Sequence, residues 1–173
     1  MPLVAAGCLF HLNWANQFYR AKTLNVGAGG DAIVTYPFEI EPAGELIRRA
    51  IDEINRTTPP NATVLVLPQG VALNYWTRPS NGTPYTVFLP FDVKTYEGEQ
   101  RVLEIIQAHP PDYVVLLHNG IRGFNGGFFG DERESGKLLL DWLSRCYSQM
   151  WQIGALPFID EKLGVLILKR ISK

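Results

Sequence analysis

The 173-residue chain is long enough for one domain with a sizeable core and too short for two ordinary domains. Apolar residues make up 46% of it and charged residues 19%, which excludes a disordered chain. The net charge of −1 gives no basic excess for a nucleic-acid partner, and two cysteines with three scattered histidines indicate neither a disulfide framework nor a metal site, so we expect no cofactor.

Residues 1–20 form an apolar and aromatic segment with no charged side chain before Arg20. The run falls short of the roughly 20 apolar residues of a spanning helix, and His11 and Asn13 interrupt it. It also lacks the basic start of a signal peptide. Two interpretations stay open: an amphipathic first helix packed on the domain, or the stub of a membrane helix ending near Trp14 and Tyr19, where interfacial aromatic residues belong.

The next elements alternate between strand and helix patterns. Residues 22–26 and 32–36 are predicted strands around a glycine-rich turn, and a hairpin is favoured over a phosphate loop because no helix follows the glycines. Residues 42–56 carry a helical apolar face. Residues 63–67 are a continuous apolar run, typical of a strand buried on both faces.

The same helix-and-strand unit then recurs. Residues 97–108 are predicted to be a helix and residues 113–117 a second buried strand, parallel to the first across a right-handed crossover. A helix over residues 132–147 and strands over 151–156 and 165–168 complete the chain.

Residues 21–173 are therefore predicted to form one α/β domain. We expect three layers and a Rossmann-like mixed sheet with a parallel centre and a C-terminal antiparallel hairpin. Residues 72–92 and 120–130 fit neither pattern, and their aromatic and glycine-rich composition is typical of functional loops or lids.

Ligands of open α/β sheets bind beyond the carboxyl ends of the strands. The candidate residues after the two buried strands are Gln69, Asn74, Tyr75 and Arg78, and His118, Asn119, Arg122 and Asp131. This set suits a sugar or an anionic head group, because aromatic rings stack, arginine pairs with phosphate and amides bond hydroxyls. The alternative is a role in loop packing, with the arginines in water and His118 bound to backbone. We expect the two loops to form one concave surface, with Asn74, Tyr75, Arg78, His118 and Arg122 near its rim.

Residue types for nucleophilic catalysis are missing from the strand ends. The sequence has no Gly-x-Ser-x-Gly elbow and no carboxylate pair there, and Cys146 falls on the apolar face of a helix. We therefore expect the chain alone to hydrolyse neither activated sugars nor esters nor phosphoesters.

Several short sequence motifs, spread over about residues 22–170, resemble those of one protein family. They are Thr23-Leu24-Asn25-Val26-Gly27, Leu67-Pro68-Gln69-Gly70, Leu73-Asn74-Tyr75, Pro84-Tyr85, Ala108-His109-Pro110-Pro111-Asp112-Tyr113-Val114-Val115-Leu116, Gly127-Phe128-Phe129-Gly130 and Trp151-Gln152-Ile153-Gly154. In this order they resemble the carboxy-terminal soluble region of bacterial polytopic membrane proteins of the protein-mannosyltransferase-like glycosyltransferase class. The pattern more often has Glu where this chain has Gln69, so if that carboxylate has a role in the family, this chain lacks the role or fulfils it differently.

The resemblance implies an accessory domain on the extracytoplasmic (periplasmic) face of the membrane. Its partners would be the membrane portion of the parent protein and a polyprenyl-phosphate sugar donor or a glycan acceptor, which it would help to bind or position. The catalytic acids of that class lie in loops of the membrane portion, so the resemblance implies no activity for this chain in isolation. Two other hypotheses remain: a free-standing, cytoplasmic small enzyme or ligand-binding domain with a site around His118 and Arg122, and a protein-interaction module.

Overall fold

The chain folds around a four-stranded sheet in the computed structural model, which describes residues 2–120, 122–123 and 126–171. The elements in chain order are α1 (Pro2–Ala21), β1 (Leu24–Val26), β2 (Ile33–Thr35), α2 (Ala43–Thr57), β3 (Val64–Leu67), α3 (Val71–Thr77), α4 (Pro90–Thr95), α5 (Glu99–Ala108), β4 (Tyr113–His118), α6 (Lys137–Cys146), β5 (Tyr147–Gly154) and β6 (Gly164–Arg170).

The two uninterrupted apolar runs form adjacent parallel strands. β3 and β4 pair with Leu65 opposite Val114, and the strand order of the sheet is β3-β4-β6-β5. β6 runs antiparallel to both β4 and β5, and β1 and β2 form a separate antiparallel pair. The α/β class, the mixed sheet and the C-terminal antiparallel hairpin are thus confirmed. The resemblance of the sheet to a Rossmann fold stays a prediction, since only β3 and β4 are parallel among the described strands.

Alternation along the strands divides the core between the two faces of the sheet. Leu65 and Leu67 of β3 pack in one cluster with residues of α5 and α6. Val64 and Val66 point the other way, into a cluster built with α2, α3 and β1. Both faces are covered by helices, which explains why the strands read as continuous apolar runs.

Helix α1 lies outside both clusters. None of its described residues is buried, and Leu3 and Phe10 are 88% and 73% exposed. Of the two interpretations that the sequence left open for this segment, a first helix packed on the domain does not fit this exposure. No helix in the described part of the chain combines the length and apolarity that crossing a membrane requires.

Several boundaries differ from the sequence prediction. Residues 72–92 are not one long loop, because α3 and the start of α4 fall inside them. The last helix begins at Lys137 rather than at residue 132, because residues 128–134 form a turn in which the Glu134 N–H donates to the carbonyl of Asp131 at 3.0 Å. β5 begins at Tyr147, directly after α6, and not at residue 151.

Candidate functional site

A cavity of about 420 Å³ opens beyond the carboxyl ends of β3 and β4, at the edge of the sheet that we call the cavity end. Its volume lies within the roughly 300–1,000 Å³ typical of small-molecule sites. The lining residues are Pro68, Gln69, Leu89, Pro90, Leu117, His118, Asn119, Arg122, Gly123, Phe129, Glu134, Ser135 and Phe158. They come from the loops after both parallel strands and from the β5–β6 loop, which reaches this edge because β6 is antiparallel to β4.

The segment after β3 forms one wall. Gln69 pairs with Val87 in an isolated antiparallel bridge, and the Phe88 N–H donates to the Pro68 carbonyl at 2.8 Å. The chain therefore returns beside the end of β3 and presents Leu89 and Pro90 to the cavity. Ser135 Oγ donates to the Phe88 carbonyl at 2.6 Å, which ties this wall to the loop that follows β4.

His118 holds the β5–β6 loop against the end of β4. The imidazole is 3% exposed, and its Nε2 donates to the carbonyl oxygen of Asp160 at 2.6 Å. The rings of Phe128 and Phe158 meet it edge-on, with centroids at 5.1 and 5.4 Å. In the same loop, the Lys162 N–H donates to the Asp160 carboxylate and lowers the pKa of that group. His118 is thus engaged by backbone through Nε2, which suits a structural role better than general-base catalysis.

Arg122 lines the cavity with its charge already compensated. Its Nε donates to Glu161 at 2.9 Å and an Nη donates to the Gly126 carbonyl at 3.0 Å. The guanidinium also lies 5.0 Å from the centroid of the Phe128 ring. An anionic ligand would have to compete with Glu161 for this arginine.

Glu134 is a cavity residue that the sequence did not indicate. A Cβ added to Gly123 would lie 2.5 Å from the Glu134 carboxylate, and one added to Gly127 would lie 3.1 Å from its Cγ. The glycines after β4 therefore leave the space that this side chain occupies, and the Gly127 N–H donates to it at 3.4 Å. In the same loop, Ile121, Phe124 and Asn125 lie outside the described residues.

Asp131 is a turn residue and does not line the cavity. Its exposed carboxylate accepts a hydrogen bond from the Phe128 N–H at 2.6 Å. This bond fixes the turn that presents Phe129 to the cavity.

The three candidates on and just after α3 also lie elsewhere. Asn74 donates to the Val64 carbonyl at 2.9 Å, and the Tyr75 hydroxyl donates to Asp31 at 2.8 Å. Arg78 pairs with the same Asp31 at 2.6 Å and stacks 4.5 Å from the Tyr75 ring centroid. The Asp31 contacts join this segment to the turn between β1 and β2, and the Asn74 bond joins α3 to β3. The structure therefore brings His118 and Arg122 together at the cavity and does not bring Asn74, Tyr75 and Arg78 there, so the five residues do not share one rim.

A second cavity, of about 580 Å³, adjoins the first and is mostly apolar. Gln69 and Leu117 line both cavities, so these two side chains form the ridge between them. The walls of the second cavity include Val26, Ile33 and Trp76, on the α2 and α3 side of the sheet. The cavity end thus offers one depression of mixed polar and apolar lining beside one that is mostly apolar.

The residues at the cavity end could bind a small molecule. Gln69, Asn119, Arg122 and Glu134 surround apolar side chains from three loops, which is the composition of a small-molecule site. The described residues contain no group of three or more side chains arranged to hold a metal ion. Comparison of the chain with protein-family models, with curated proteins and with solved structures finds no match.

Proposed function

We propose that this chain is a non-catalytic accessory domain on the extracytoplasmic face of a glycosyltransferase-like membrane protein. It would help to bind or position a polyprenyl-phosphate sugar donor or its glycan acceptor beside the membrane portion of that protein. The observation that carries the proposal is α1, a helix without charge before Arg20 that stands exposed outside the core. A large apolar surface left exposed is typical of a surface that contacts a partner or a membrane.

In the C-terminal half of α1, polar and aromatic side chains occupy different faces. One face carries the polar residues at i, i+3, i+4 and i+7, which are Asn13, Asn16, Gln17 and Arg20. Another face carries Phe10, Trp14 and Phe18, and the last two rings pack edge-to-face with centroids 4.4 Å apart. Aromatic residues followed by a cation are typical of the boundary between lipid and water.

The cavity supports the second part of the proposal. It is large enough for a sugar-sized ligand, and its polar groups converge from the loops after β3 and β4 over apolar walls. The His118 Nε2 and the Arg122 charge already have partners within the chain. Because these two groups are engaged, the site is better suited to binding a ligand than to catalysis.

Vesicle binding tests the membrane contact. Wild type should co-sediment with phosphatidylcholine vesicles, and a chain that keeps Trp14 as its single tryptophan should show a blue shift of its fluorescence on binding. The double variant Trp14→Glu/Phe18→Glu should lose this binding, because two carboxylates would enter the apolar face of α1. The matched control Asn13→Glu/Asn16→Glu adds the same charge on the polar face and should keep it.

Both variants should keep the stability of the wild type within about 0.5 kcal/mol, because α1 contributes to neither core cluster. Equal vesicle binding by wild type and both variants, or none by any of them, would refute the membrane contact. A vesicle-independent turnover that disappears in His118→Ala would favour a free-standing enzyme instead.

A further inference from the structure

Exposed apolar side chains outside α1 concentrate at the cavity end of the domain. Those in the segments that border the cavities and the adjoining groove are Ile33, Phe38, Ile40, Val71, Phe91, Leu156 and Ile159. At the opposite end, residues 57–63, 108–112 and 169–171 contribute only Ile171 to the large exposed hydrophobic side chains of the described chain. The domain therefore has one apolar end and one polar end.

The topology brings these separate segments together. Val71 lines the second cavity, and Phe91 follows Pro90, which lines the first. Leu156 and Ile159 belong to the β5–β6 loop, which the bond from His118 to Asp160 holds at the end of β4.

A groove of about 1,000 Å³ connects the β5–β6 loop with the segment before α2. Phe38 lines it on one side, and Ala155 and Leu163 line it on the other. Phe38, Leu156 and Ile159 therefore border neighbouring parts of one surface.

Helix α1 leaves the domain from the same end. Leu24, just after α1, lines the groove together with Phe38. The Lys22 ammonium lies 5.0 Å from the Tyr19 ring centroid at the end of α1 and 5.5 Å from that of Tyr36. The surface that α1 offers and the apolar loops are therefore continuous.

We infer that the cavity end rests on a lipid bilayer, with Phe38, Leu156 and Ile159 in its interfacial layer and the cavities opening beside it. This inference rests on the proposed function, because α1 supplies the first contact with lipid. Single apolar side chains that project from separate loops can insert into a deformable lipid surface, whereas a protein partner would need a surface of complementary shape.

The charges at this end also suit an uncharged lipid surface. Glu39 and Glu41 flank Ile40, whereas Lys162 pairs with Asp160 and Arg122 with Glu161. These groups therefore form no net cationic patch that would attract acidic lipids. Binding should therefore depend on apolar burial and change little with salt.

The test changes the loops and leaves α1 intact. The double variant Phe38→Glu/Ile159→Glu should bind phosphatidylcholine vesicles about tenfold more weakly or worse, since two apolar side chains would no longer leave water. The matched control Ile171→Glu adds a carboxylate at an exposed apolar position of the opposite end and should bind as wild type does. Circular dichroism should be unchanged in both variants.

Depth measurements give a second readout in full-length chains with Cys8→Ser and Cys146→Ser. A fluorophore on Phe38→Cys should be quenched strongly by nitroxide-labelled lipids, and one on Asn61→Cys at the opposite end should not. Equal quenching at both positions, or none at residue 38, would overturn the inference.

The outcomes separate this inference from the proposed function. If Trp14→Glu/Phe18→Glu abolishes vesicle binding while Phe38→Glu/Ile159→Glu does not weaken it, α1 contacts lipid and the inferred orientation is wrong. If wild type forms dimers without lipid and the loop variant is monomeric, a second copy covers this end, which also overturns the inference.

Discussion

At the scale of single residues, Asp112 joins three strands at the polar end of the domain. Its Oδ2 accepts hydrogen bonds from Thr63 N–H and Oγ1, both at 3.0 Å, and its Oδ1 accepts one from Arg170 at 2.8 Å. The hydrogen bond from the Thr63 backbone, aided by the Thr63 hydroxyl and the Arg170 charge, lowers the pKa of Asp112 although partial burial opposes the shift. The starts of β3 and β4 and the end of β6 therefore depend on one ionised group.

Replacing Asp112 by alanine should lower the free energy of unfolding at pH 7 by about 1–3 kcal/mol, because the Thr63 donors lose their acceptor. Since folding lowers this pKa, the carboxylate stabilises fully above its unfolded value of about 3.9. The stabilisation is lost as the pH falls through the folded pKa. Urea unfolding at pH 7 and pH 3 should show the gap between wild type and Asp112→Ala shrinking at low pH.

The exposed Asp52 of α2 provides a matched control, because Asp52→Ala removes a carboxylate without such bonds to a neighbouring strand. Its stability should stay within about 0.5 kcal/mol of wild type at neutral pH. A gap for Asp112→Ala that is equally large at pH 3 would contradict the role of the ionised group.

Among the elements, the β5–β6 hairpin depends on a glycine at its closure. Gly164 begins β6 opposite His118, and a Cβ there would lie 1.9 Å from the carbonyl oxygen of Ala155. Gly164→Ala should destabilise the protein by about 1–3 kcal/mol, because the backbone of the turn would have to move. Thermal unfolding measures the loss, and the histidine NMR signals should report a changed environment of His118.

Gly30 offers the control for this change. No atom lies within 4 Å of a Cβ added there, so Gly30→Ala should be close to neutral in the same measurement. Equal stability of Gly164→Ala and wild type would contradict this prediction, because it would show that the turn of the hairpin accommodates the added methyl group.

The elements with strong periodicity could be predicted from the sequence, and the short ones could not. α2 and α5 carry clear apolar faces, and β3 and β4 are continuous apolar runs. α3 and α4 have only 7 and 6 residues, too few for a periodic pattern to stand out. The start of β5 is exposed and polar at Ser148 and Gln149, so its pattern resembles a loop.

The candidate site was predictable only where it follows a strand directly. Gln69, His118, Asn119 and Arg122 were located because parallel strands end at one edge. The lining residues that the sequence did not indicate include Glu134, which lies beyond the glycine-rich segment, and Phe158, which lies in the β5–β6 loop. Phe158 comes near only through the antiparallel pairing of β4 and β6, a tertiary fact without a local signal.

For the molecule as a whole, the single sheet couples two hydrophobic clusters. Neighbouring residues of β4 belong to different clusters: Val114 faces α5 and α6, and Val115 faces α2 and α3. Neither cluster can lose its strands without exposing the other. We therefore expect the described domain to unfold as one cooperative unit.

Two substitutions on opposite faces test this cooperativity. Leu143 of α6 and Ile54 of α2 are 2% and 1% exposed, so Leu143→Ala and Ile54→Ala should each cost about 2–5 kcal/mol through the cavity left behind. Because the two side chains lie in different clusters, their effects should add in the double variant. Trp142 reports on the first cluster, and Trp76 and Trp151 report on the second. In chains that also carry Trp14→Phe, fluorescence of a Trp76→Phe/Trp151→Phe variant follows the first face and that of a Trp142→Phe variant follows the second. Urea midpoints that differ after correction for the cost of each tryptophan change would mean that the two faces unfold independently.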